Sequence, residues 1–499
     1  MFSDNGRRTG GRGIWVLLVV LGAAPPIAAG QDLSGPGPYA AGYITVTVTR
    51  PDSSTFASLL FYPATAGGEG APYEGSGAPY PAISFGHGFL TNPERYQGTL
   101  EHLATWGYFV MATRSGLELF PNHAEYAQDL SHCLTYLESE NADPASPLFG
   151  QVDTARFGLS GHSMGGGASV LATAADPRVK ALANLAAAET NPSAVDAAAA
   201  MTIPVRLIAG DEDGIAPPAQ HTIPIYENAN APRQLPMILG GYHCGFLDDP
   251  PAFFCDSGSI SLDVQLALTR RLLTEFFHLY LYEDQSVWRQ VWGPELADDP
   301  LVDTSRAEAG IAWEPSDAAA GGPAGELAQA EFLVRNTSLL SESYTLFAED
   351  NNWPTTLTPN PTPVLAPGET VTVTVGVEIP AGGADADTAL LSARSDLDGG
   401  TRGYATLLTQ RRDPADFDGD GDVDLADFTV LAGCLTGPGG GILPGCDDAD
   451  LDSDDDTDLQ DAAVLLRAFT GPATGRSGPA PSARRAYRPP APPPAVLPS

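Results

Sequence analysis

Residues 156–175, RFGLSGHSMGGGASVLATAA, decide the fold of this chain. An apolar stretch at 156–160 leads into a G-x-S-x-G turn at 161–165, and a run of small residues follows. This order predicts a strand, a tight turn and a helix. Such a turn holds its serine on a strained elbow, where the flanking glycines let strand and helix approach closely. The stretch therefore predicts an α/β fold with Ser163 as a candidate nucleophile at the edge of the sheet.

A serine hydroxyl is a weak nucleophile at neutral pH, so it needs a base to take its proton and an acid to orient that base. The acid is expected after the apolar run at 203–210, which predicts a buried strand. An acidic side chain at the carboxyl end of such a strand lies on the functional edge of an open α/β sheet. Asp211 and Asp213 both meet this condition, and spacing alone does not separate them.

Three histidines are candidates for the base. His243 follows the apolar run at 235–239, which places it on another strand-end loop. His221 comes soon after Asp213, before a further strand can return to the edge, and His278 lies within a predicted helix. His243 is therefore the expected base, and the chain order is serine, acid, histidine.

A fourth element would stabilise negative charge on a substrate oxygen. The run at 83–86 predicts a strand that enters a His-Gly turn before Phe89. Backbone N–H groups in such a loop, and of the residue after the nucleophile, can face a developing oxyanion. The predicted donors are the N–H groups of Phe89 and Met164.

Three motifs carry a family resemblance: GHSMGGG at 161–167, DGIAP at 213–217 and GGYH at 240–243. They resemble the bacterial cutinases and polyester hydrolases, within the wider dienelactone-hydrolase-like and lipase-like α/β-hydrolases, over residues 39–281. The resemblance implies an α/β-hydrolase sheet flanked by helices and selects Asp213 as the acid. It implies cleavage of carboxylic esters by Ser163, His243 and Asp213 through an acyl-enzyme, with no cofactor in the chemistry.

The substrate is less well defined than the chemistry. Where polyester hydrolases usually carry an aromatic clamp, residues 185–192 read LAAAETNP, with no tryptophan. The residues expected to wall an apolar acyl site are Phe89, His162, Tyr242 and Phe246; the alternative is that they only anchor loops. A lipase, or an esterase of phospholipids or chlorophyll, is the alternative enzyme. A surface-attachment protein with an inert hydrolase-like domain is the alternative of another class.

The first thirty residues predict export. Arginines precede the apolar run at 14–21, and small residues end the segment at 28–30, which is typical of a signal peptide over residues 1–30. No later run is long enough to predict a membrane span. The net charge of −37 opposes binding to nucleic acid or to an anionic membrane.

Five cysteines in an exported chain predict a few local disulfides. Cys244 and Cys255 flank a short loop directly after the expected base, and Cys434 and Cys446 close a second short loop. Cys133, in a predicted helix, is left over and is expected to be a buried thiol.

The length predicts several domains. The catalytic domain is expected over residues 31–300, with an Ala/Gly/Pro-rich linker at 316–325. Strand signals then predict a small immunoglobulin-like or fibronectin-like β-sandwich over residues 318–411, most simply a spacer. A carbohydrate- or polymer-binding face is the alternative, with Trp353 as its conspicuous candidate.

Two acidic loops follow, 34 residues apart, over a module expected at 413–471. Each has the ligand spacing of a calcium loop and leads into an apolar helical pattern. Paired loops with Asp at position 12 resemble EF-hand-like, dockerin-type modules, which implies structural Ca²⁺ and a protein or cell-surface docking partner. The second loop departs from the pattern, with Asp455 for the turn glycine and Thr457 for an apolar residue. The predicted ligands are Asp416, Asp418, Asp420, Asp422, Asp424 and Asp427, then Asp450, Asp452, Asp454, Asp456, Asp458 and Asp461. Residues 472–499 are expected to be a disordered Pro-rich tail.

Overall fold

A large mixed sheet occupies the first part of the computed structural model, which describes residues 32–419 and 421–471. The predicted signal peptide, Asp420 and the predicted tail lie outside the described residues. Within them, twelve strands form this sheet: β1 Ala40–Thr49, β2 Thr55–Ala64, β3 Gly68–Glu69, β4 Tyr80–Gly86, β5 Phe109–Thr113, β6 Val152–His162, β7 Val179–Leu185, β8 Val205–Gly210, β9 Arg233–Gln234, β10 Met237–Ile238, β11 Val302–Asp303 and β12 Ala307–Glu308.

The strands run in the order β11-β10-β8-β7-β6-β4-β5-β2-β1-β3, with β9 beside β8 and β12 beside β9. The central pairs β5-β4, β4-β6, β6-β7, β7-β8 and β8-β10 are all parallel, whereas β1-β2 and β2-β5 are antiparallel. Strands β4, β5 and β8 are buried along their whole length, as expected for strands covered on both faces. The carboxyl ends of the parallel strands therefore share one edge, which is where the predicted catalytic residues lie.

Helices cover both faces of this sheet. Their bounds are α1 Gln97–Thr105, α2 His123–Ala142, α3 Met164–Ala175, α4 Ala194–Ala198, α5 Thr222–Asn228, α6 Leu262–Leu281, α7 Trp288–Val291 and α8 Pro294–Ala297, with short 3-10 turns at Pro93–Tyr96, His243–Phe246 and Gln285–Val287. Apolar side chains of α1 and α6 form one core cluster with the sheet, and those of α2 and α3 form the other. This is the layered α/β architecture that the sequence predicts.

Two smaller sheets follow, each of four strands within the described part of the chain. The first has the order β13-β15-β18-β17 and the second β14-β20-β19-β16. Their bounds are β13 Ile311–Glu314, β14 Asp317–Gly322, β15 Leu327–Asn336, β16 Tyr344–Glu349, β17 Thr355–Thr358, β18 Thr370–Glu378, β19 Ala386–Ser395 and β20 Arg402–Arg411. Inward-facing apolar residues of both sheets form one cluster. The assignment to an immunoglobulin-like family stays a prediction.

The structure corrects the predicted boundaries. The expected linker at 316–325 is wrong, because Asp317–Gly322 is a strand paired with β20. The expected end of the catalytic part at 300 and the expected start of the next part at 318 are also wrong. β11 and β12 still pair with the first sheet, and the first strand of the smaller sheets begins at Ile311. Trp353 is buried in the core of the smaller sheets, so it offers no exposed binding face.

The last described part carries two helices, α9 Leu425–Cys434 and α10 Leu459–Ala468, and a 3-10 turn at Asp447–Ala449. Each helix begins directly after an acidic loop, and its first turn is closed by a capping box of two aspartates. The two halves exchange equivalent bonds: Thr470 N–H donates to Val423 O at 2.9 Å, and Thr436 N–H donates to Thr457 O at 2.8 Å. Both pairs are related by the 34-residue repeat, so the module is internally symmetric.

No helix among the described residues combines the length and the apolar character needed to cross a bilayer.

Candidate active site

Ser163 lies between β6 and α3 with φ +55° and ψ −120°, a conformation that costs energy for a residue with a Cβ. The backbone N–H and carbonyl of Ser163 are both hydrogen-bonded. Its N–H donates to Leu185 O at 3.0 Å, and its carbonyl accepts from Gly167 N at 3.0 Å and from Ala188 N at 2.9 Å. These bonds to β7 and to the following loop hold the serine on the predicted elbow.

The turn needs glycines because neighbouring backbone atoms lie too close to leave room for a Cβ. A Cβ on Gly165 would lie 2.1 Å from Gly86 O, and one on Gly161 would lie 2.4 Å from Gly165 O. Helix α3 therefore starts directly against the end of β4, which brings the nucleophile turn next to the loop that carries Phe89.

Asp213 and His243 are in direct contact. His243 Nδ1–H donates to Asp213 Oδ2 at 2.7 Å, and both residues are buried. The other carboxylate oxygen of Asp213 accepts from Ile215 N at 2.9 Å and from Ala216 N at 2.7 Å. A carboxylate held in this way fixes the tautomer of the imidazole and leaves its Nε2 free to act as a base.

The competing candidates are engaged elsewhere. Asp211 accepts from Gly240 N at 2.6 Å and so ties two loops together without contacting His243. His221 accepts from Glu189 N at 3.1 Å, and His278 is buried in α6 against Tyr108. Among the candidates, the structure brings together only Asp213 and His243.

The residue that precedes the serine in the chain lies beside this pair: the ring of His162 is 4.4 Å from the ring of His243, measured between centroids. Among the described residues, the Ser163 hydroxyl makes no capping hydrogen bond to the start of α3. The contact between the predicted acid and the predicted base is thus formed, and Ser163 lies on the turn next to His162, whose ring packs against that base.

One predicted oxyanion donor belongs to the nucleophile turn and the other to the loop after β4. Met164 is the first residue of α3, so its N–H has no partner within the helix. The Phe89 N–H makes no hydrogen bond to any described residue, and the Phe89 side chain is exposed. Its loop is held by Gly88 N, which donates to Tyr96 Oη at 3.1 Å, and by His87, which bonds to Ser115 O at 2.8 Å.

Two predicted wall residues are wrong. His162 is 2% exposed, and its Nδ1 lies 2.8 Å from Tyr96 Oη. Burial lowers the pKa of His162 well below its usual value, so the ring is neutral. Phe246 is fully buried, with its ring 5.8 Å from that of His162. Both side chains are part of the packing under the site and offer no surface to a ligand, whereas Phe89 and the partly buried Tyr242 do.

The two expected disulfides, Cys244–Cys255 and Cys434–Cys446, are present, and Cys133 is a buried free thiol. Sequence reasoning missed Tyr96 and Asp256, which hold the loops around Ser163 and His243. Neither residue lies in a motif. The one sequence feature that could have indicated Asp256 is its position directly after Cys255, a cysteine expected to pair next to His243.

The acidic loops bring most of the predicted ligands together. Carboxylate oxygens within 4.8 Å of one another form four groups: Asp416, Asp418 and Asp427; Asp422, Asp424 and Asp427; Asp450, Asp452 and Asp461; Asp456, Asp458 and Asp461. Asp454 lies outside these groups and accepts from Gln460 Nε2 at 3.1 Å. Burial, with a further contribution from Asp427, raises the pKa of Asp416. Oxygen donors of this kind and number suit Ca²⁺.

Comparisons with known proteins concern the first part of the chain. Residues 29–246 match the family model described as PETase, PET hydrolase-like. The chain is 28% identical to Cutinase est1 of Thermobifida alba over 213 residues, which is 41% of this chain and 67% of that protein. It is 26% identical to a cutinase of Thermobifida fusca (strain YX) over 215 residues, 41% of this chain and 65% of that protein. It is also 26% identical to Cutinase 1 of Thermobifida cellulosilytica over 149 residues, 30% and 54% of the two chains.

The matched stretches thus span between about half and two thirds of these relatives. The family match includes Ser163, Asp213 and His243, and it ends before the smaller sheets and the acidic loops. The chain therefore carries a cutinase-like, PET hydrolase-like domain in its first half.

Proposed function

We propose that this protein is an exported serine hydrolase that cleaves carboxylic esters in the manner of a cutinase. The observation that carries the proposal is the 2.7 Å bond between His243 and Asp213 at the sheet edge where Ser163 stands on its elbow. The three residues lie within the stretch that matches the PET hydrolase-like family. Export rests on the composition of residues 1–30.

The proposed reaction proceeds in two halves. Ser163 Oγ attacks the ester carbonyl carbon while its proton passes to His243 Nε2, and Asp213 stabilises the resulting imidazolium. The N–H groups of Phe89 and Met164 hold the oxyanion. Collapse of the tetrahedral intermediate breaks the bond to the alcohol, which leaves with the proton from His243. A water molecule then attacks the acyl-enzyme by the same route, releasing the acid and restoring Ser163.

Exposed apolar side chains on the loops of the site favour an apolar ester. Phe89 and Leu90 lie on the loop after β4, Ile215 follows Asp213, and Phe253 and Phe254 lie on the loop after His243. Because these exposed apolar side chains are spread over three loops, they favour bulky or polymeric esters over a small ester held in a closed cavity. A panel of short-chain, long-chain and polymer esters distinguishes this substrate class from those of a lipase or of a phospholipid or chlorophyll esterase.

The nucleophile is tested by Ser163→Ala. We expect the variant to lose hydrolysis of a short p-nitrophenyl ester and labelling by a fluorophosphonate probe, because only an activated serine reacts with that probe. Thr173→Ala, in the same helix but away from the turn, is the control and should keep both. A wild-type protein that the probe does not label would favour the alternative of an inert attachment protein.

We also propose that Ca²⁺ orders residues 413–471, held by the carboxylates of the two acidic loops. Two observations support this: the grouped carboxylate oxygens, and a buried Asp456 Oδ1 that no group of the described residues satisfies. The bound cation would neutralise carboxylates that otherwise repel one another. A docking or surface-attachment role, with an unidentified partner, rests on the resemblance of the paired loops to dockerin-type modules.

A further inference from the structure

Three backbone N–H groups from the two catalytic loops converge on one carboxylate, that of Asp256. Oδ2 accepts from His243 N at 2.9 Å and from Gly214 N at 3.0 Å, and Oδ1 accepts from Cys244 N at 3.0 Å. Gly214 directly follows Asp213. The carboxylate therefore contacts the backbone of the base and the backbone next to the acid.

An ionised carboxylate suits this position better than any neutral side chain. It has two oxygens and accepts at both, and hydrogen bonds to a charged acceptor are stronger than those between neutral groups. An asparagine keeps the shape but has one accepting oxygen, and its NH₂ group would face a backbone N–H. Replacing Asp256 by Asn should therefore break at least one of the three bonds while leaving the volume unchanged.

The disulfide Cys244–Cys255 holds Asp256 in place. Cys244 follows His243, and Cys255 precedes Asp256, so the covalent bond closes the loop that returns the carboxylate to the catalytic histidine. Apart from the bond between the His243 ring and Asp213, other ties between the two catalytic loops lie further from the base. Glu212 N donates to Gly241 O at 2.9 Å, and Asp211 accepts from Gly240 N at 2.6 Å. Of these ties, those to Asp256 hold the backbone of His243.

We infer that Asp256 is a positioning residue, which sets the His243 backbone relative to Asp213 and so aligns the imidazole for proton transfer. This inference rests on the proposed function of the site. A small displacement of the base from its productive position is expected to lower kcat by about 10- to 100-fold. Since both oxygens of Asp256 are bonded to backbone N–H groups of the two loops, the substitution acts through the base, and KM should change little.

The test compares Asp256→Asn with a chemically matched control, Asp387→Asn, in the full chain. Asp387 also accepts from two successive backbone groups, Asn352 N at 2.9 Å and Trp353 N at 2.8 Å, but it belongs to the smaller sheets. We expect both substitutions to lower Tm, and only Asp256→Asn to lower kcat on a soluble p-nitrophenyl ester at nearly unchanged KM. The downfield ¹H resonance of the His243 Nδ1 proton should weaken or shift in Asp256→Asn alone.

Unchanged kcat and an unchanged Nδ1 resonance in Asp256→Asn would overturn the inference. A variant that fails to fold is replaced by C244S/C255S, which keeps Asp256 but removes the covalent bond that closes its loop. The same loss of kcat supports the inference, and a loss of Tm alone contradicts it. A wild-type protein that is neither active nor labelled at Ser163 would refute the proposed function instead, and the resonance would still test the placement of His243.

Discussion

The Tyr96 hydroxyl joins the nucleophile turn to the loop of the predicted oxyanion donor. It accepts from Gly88 N at 3.1 Å and lies 2.8 Å from Nδ1 of the neutral His162 ring. Burial raises the pKa of Tyr96 to about 12, so the hydroxyl keeps its proton over the working pH range. One side chain thus joins the backbone of the Phe89 loop to the side chain that precedes Ser163.

We therefore expect Tyr96→Phe to reduce kcat on a soluble ester by about tenfold, because the bonds to Gly88 N and to the His162 ring are lost and the Gly88 N–H loses its partner. Stability should fall by about 1–3 kcal/mol, as for other buried polar groups left unpaired. Tyr62→Phe is the matched control: its hydroxyl donates to Ala71 O at 2.8 Å, away from the site. The prediction fails if the two variants have the same kcat.

At the scale of elements, the sequence predicts an element correctly where the residues that determine its conformation lie within one short segment. The glycines at 161 and 165 predict the turn at Ser163 because they are needed where the backbone atoms approach most closely. The Ala/Gly-rich segment at 317–322 lacks β-branched residues and so looks like a linker, yet it pairs with β20 in parallel along its length. Tertiary pairing decides its conformation, and no local pattern records that pairing.

The same limit applies within the site. Position after a strand predicted His243 and left Asp211 and Asp213 as alternatives for the acid, since the carboxyl ends of parallel strands meet at one edge; the family resemblance selected Asp213. Tyr96 and Asp256 act through bonds across the fold and within a disulfide-closed loop, which spacing along the chain does not reveal. The sequence predicts Phe246 on the wall of the site because it lies on the loop that carries His243. Its burial depends on packing across the fold, which the sequence does not reveal.

Helix α6 buries His278, which makes stability depend on pH. Its Nδ1 lies 2.8 Å from Tyr108 Oη and 3.1 Å from Thr274 O. Burial lowers the pKa of His278 to about 4, well below that of a histidine in the unfolded chain. The unfolded chain therefore binds a proton first as pH falls. The contribution of the buried, neutral His278 to the free energy of unfolding is fully present above about pH 6.5, and it is lost progressively from there towards about pH 4.

We expect Tm of the wild type to fall between about pH 7 and about pH 5, and His278→Gln to show a shallower slope over this range because it removes the titrating group. Thermal melts of both proteins at matched ionic strength measure the difference. The comparison is unaffected by a general loss of stability in the variant, since only the slope is compared. Parallel curves would show that His278 does not contribute to the acid lability.

The two acidic loops are expected to lose order together. Val423 N donates to Thr470 Oγ1 at 2.8 Å, and Thr436 N donates to Thr457 O at 2.8 Å, so each loop is bonded to the segment after the other helix. Removing Ca²⁺ with EDTA should therefore increase hydrogen exchange in both α9 and α10, while ester turnover is unchanged. Added Ca²⁺ should restore the protection.

Asp461→Asn separates coupled loops from independent ones. Asp461 belongs to the second loop, accepting from Leu451 N at 2.7 Å and from Asp458 N at 2.7 Å. We expect the substitution to weaken exchange protection in α9 as well as in α10 at limiting Ca²⁺. Protection that is lost in α10 alone would mean that the two loops order independently.

On the scale of the whole molecule, the smaller sheets are packed against the hydrolase-like part and do not act as a free spacer. Tyr280 Oη in α6 is 2.8 Å from Thr401 Oγ1 and accepts from Trp292 Nε1 at 2.6 Å. Leu390 of β19 belongs to the same apolar cluster as α6. Helix α6 also lines the sheet that carries the catalytic loops, so the second part of the chain stabilises the scaffold of the site.

Arg402 lies at the centre of this interface, 4% exposed, with its guanidinium 4.7 Å from the ring centroids of both Trp288 and Phe347. It also donates to Gln285 Oε1 at 3.2 Å and to Glu349 Oε1 at 3.1 Å, so it contacts both parts of the chain. We expect Arg402→Ala to cost about 2–4 kcal/mol and to split one calorimetric transition into two, because it removes stacking and buried hydrogen bonds together.

The control for this prediction is Arg335→Ala, whose exposed ion pair with Glu314 spans 3.5 Å and should contribute less than about 1 kcal/mol. Calorimetry measures the number of transitions, and kcat after mild heating measures whether the catalytic loops depend on the interface. If Arg402→Ala still unfolds in one transition at the wild-type Tm, then Arg402 does not couple the two parts. Two transitions, with activity lost at the lower one, would mean that the smaller sheets protect the active site as part of a single cooperative structure.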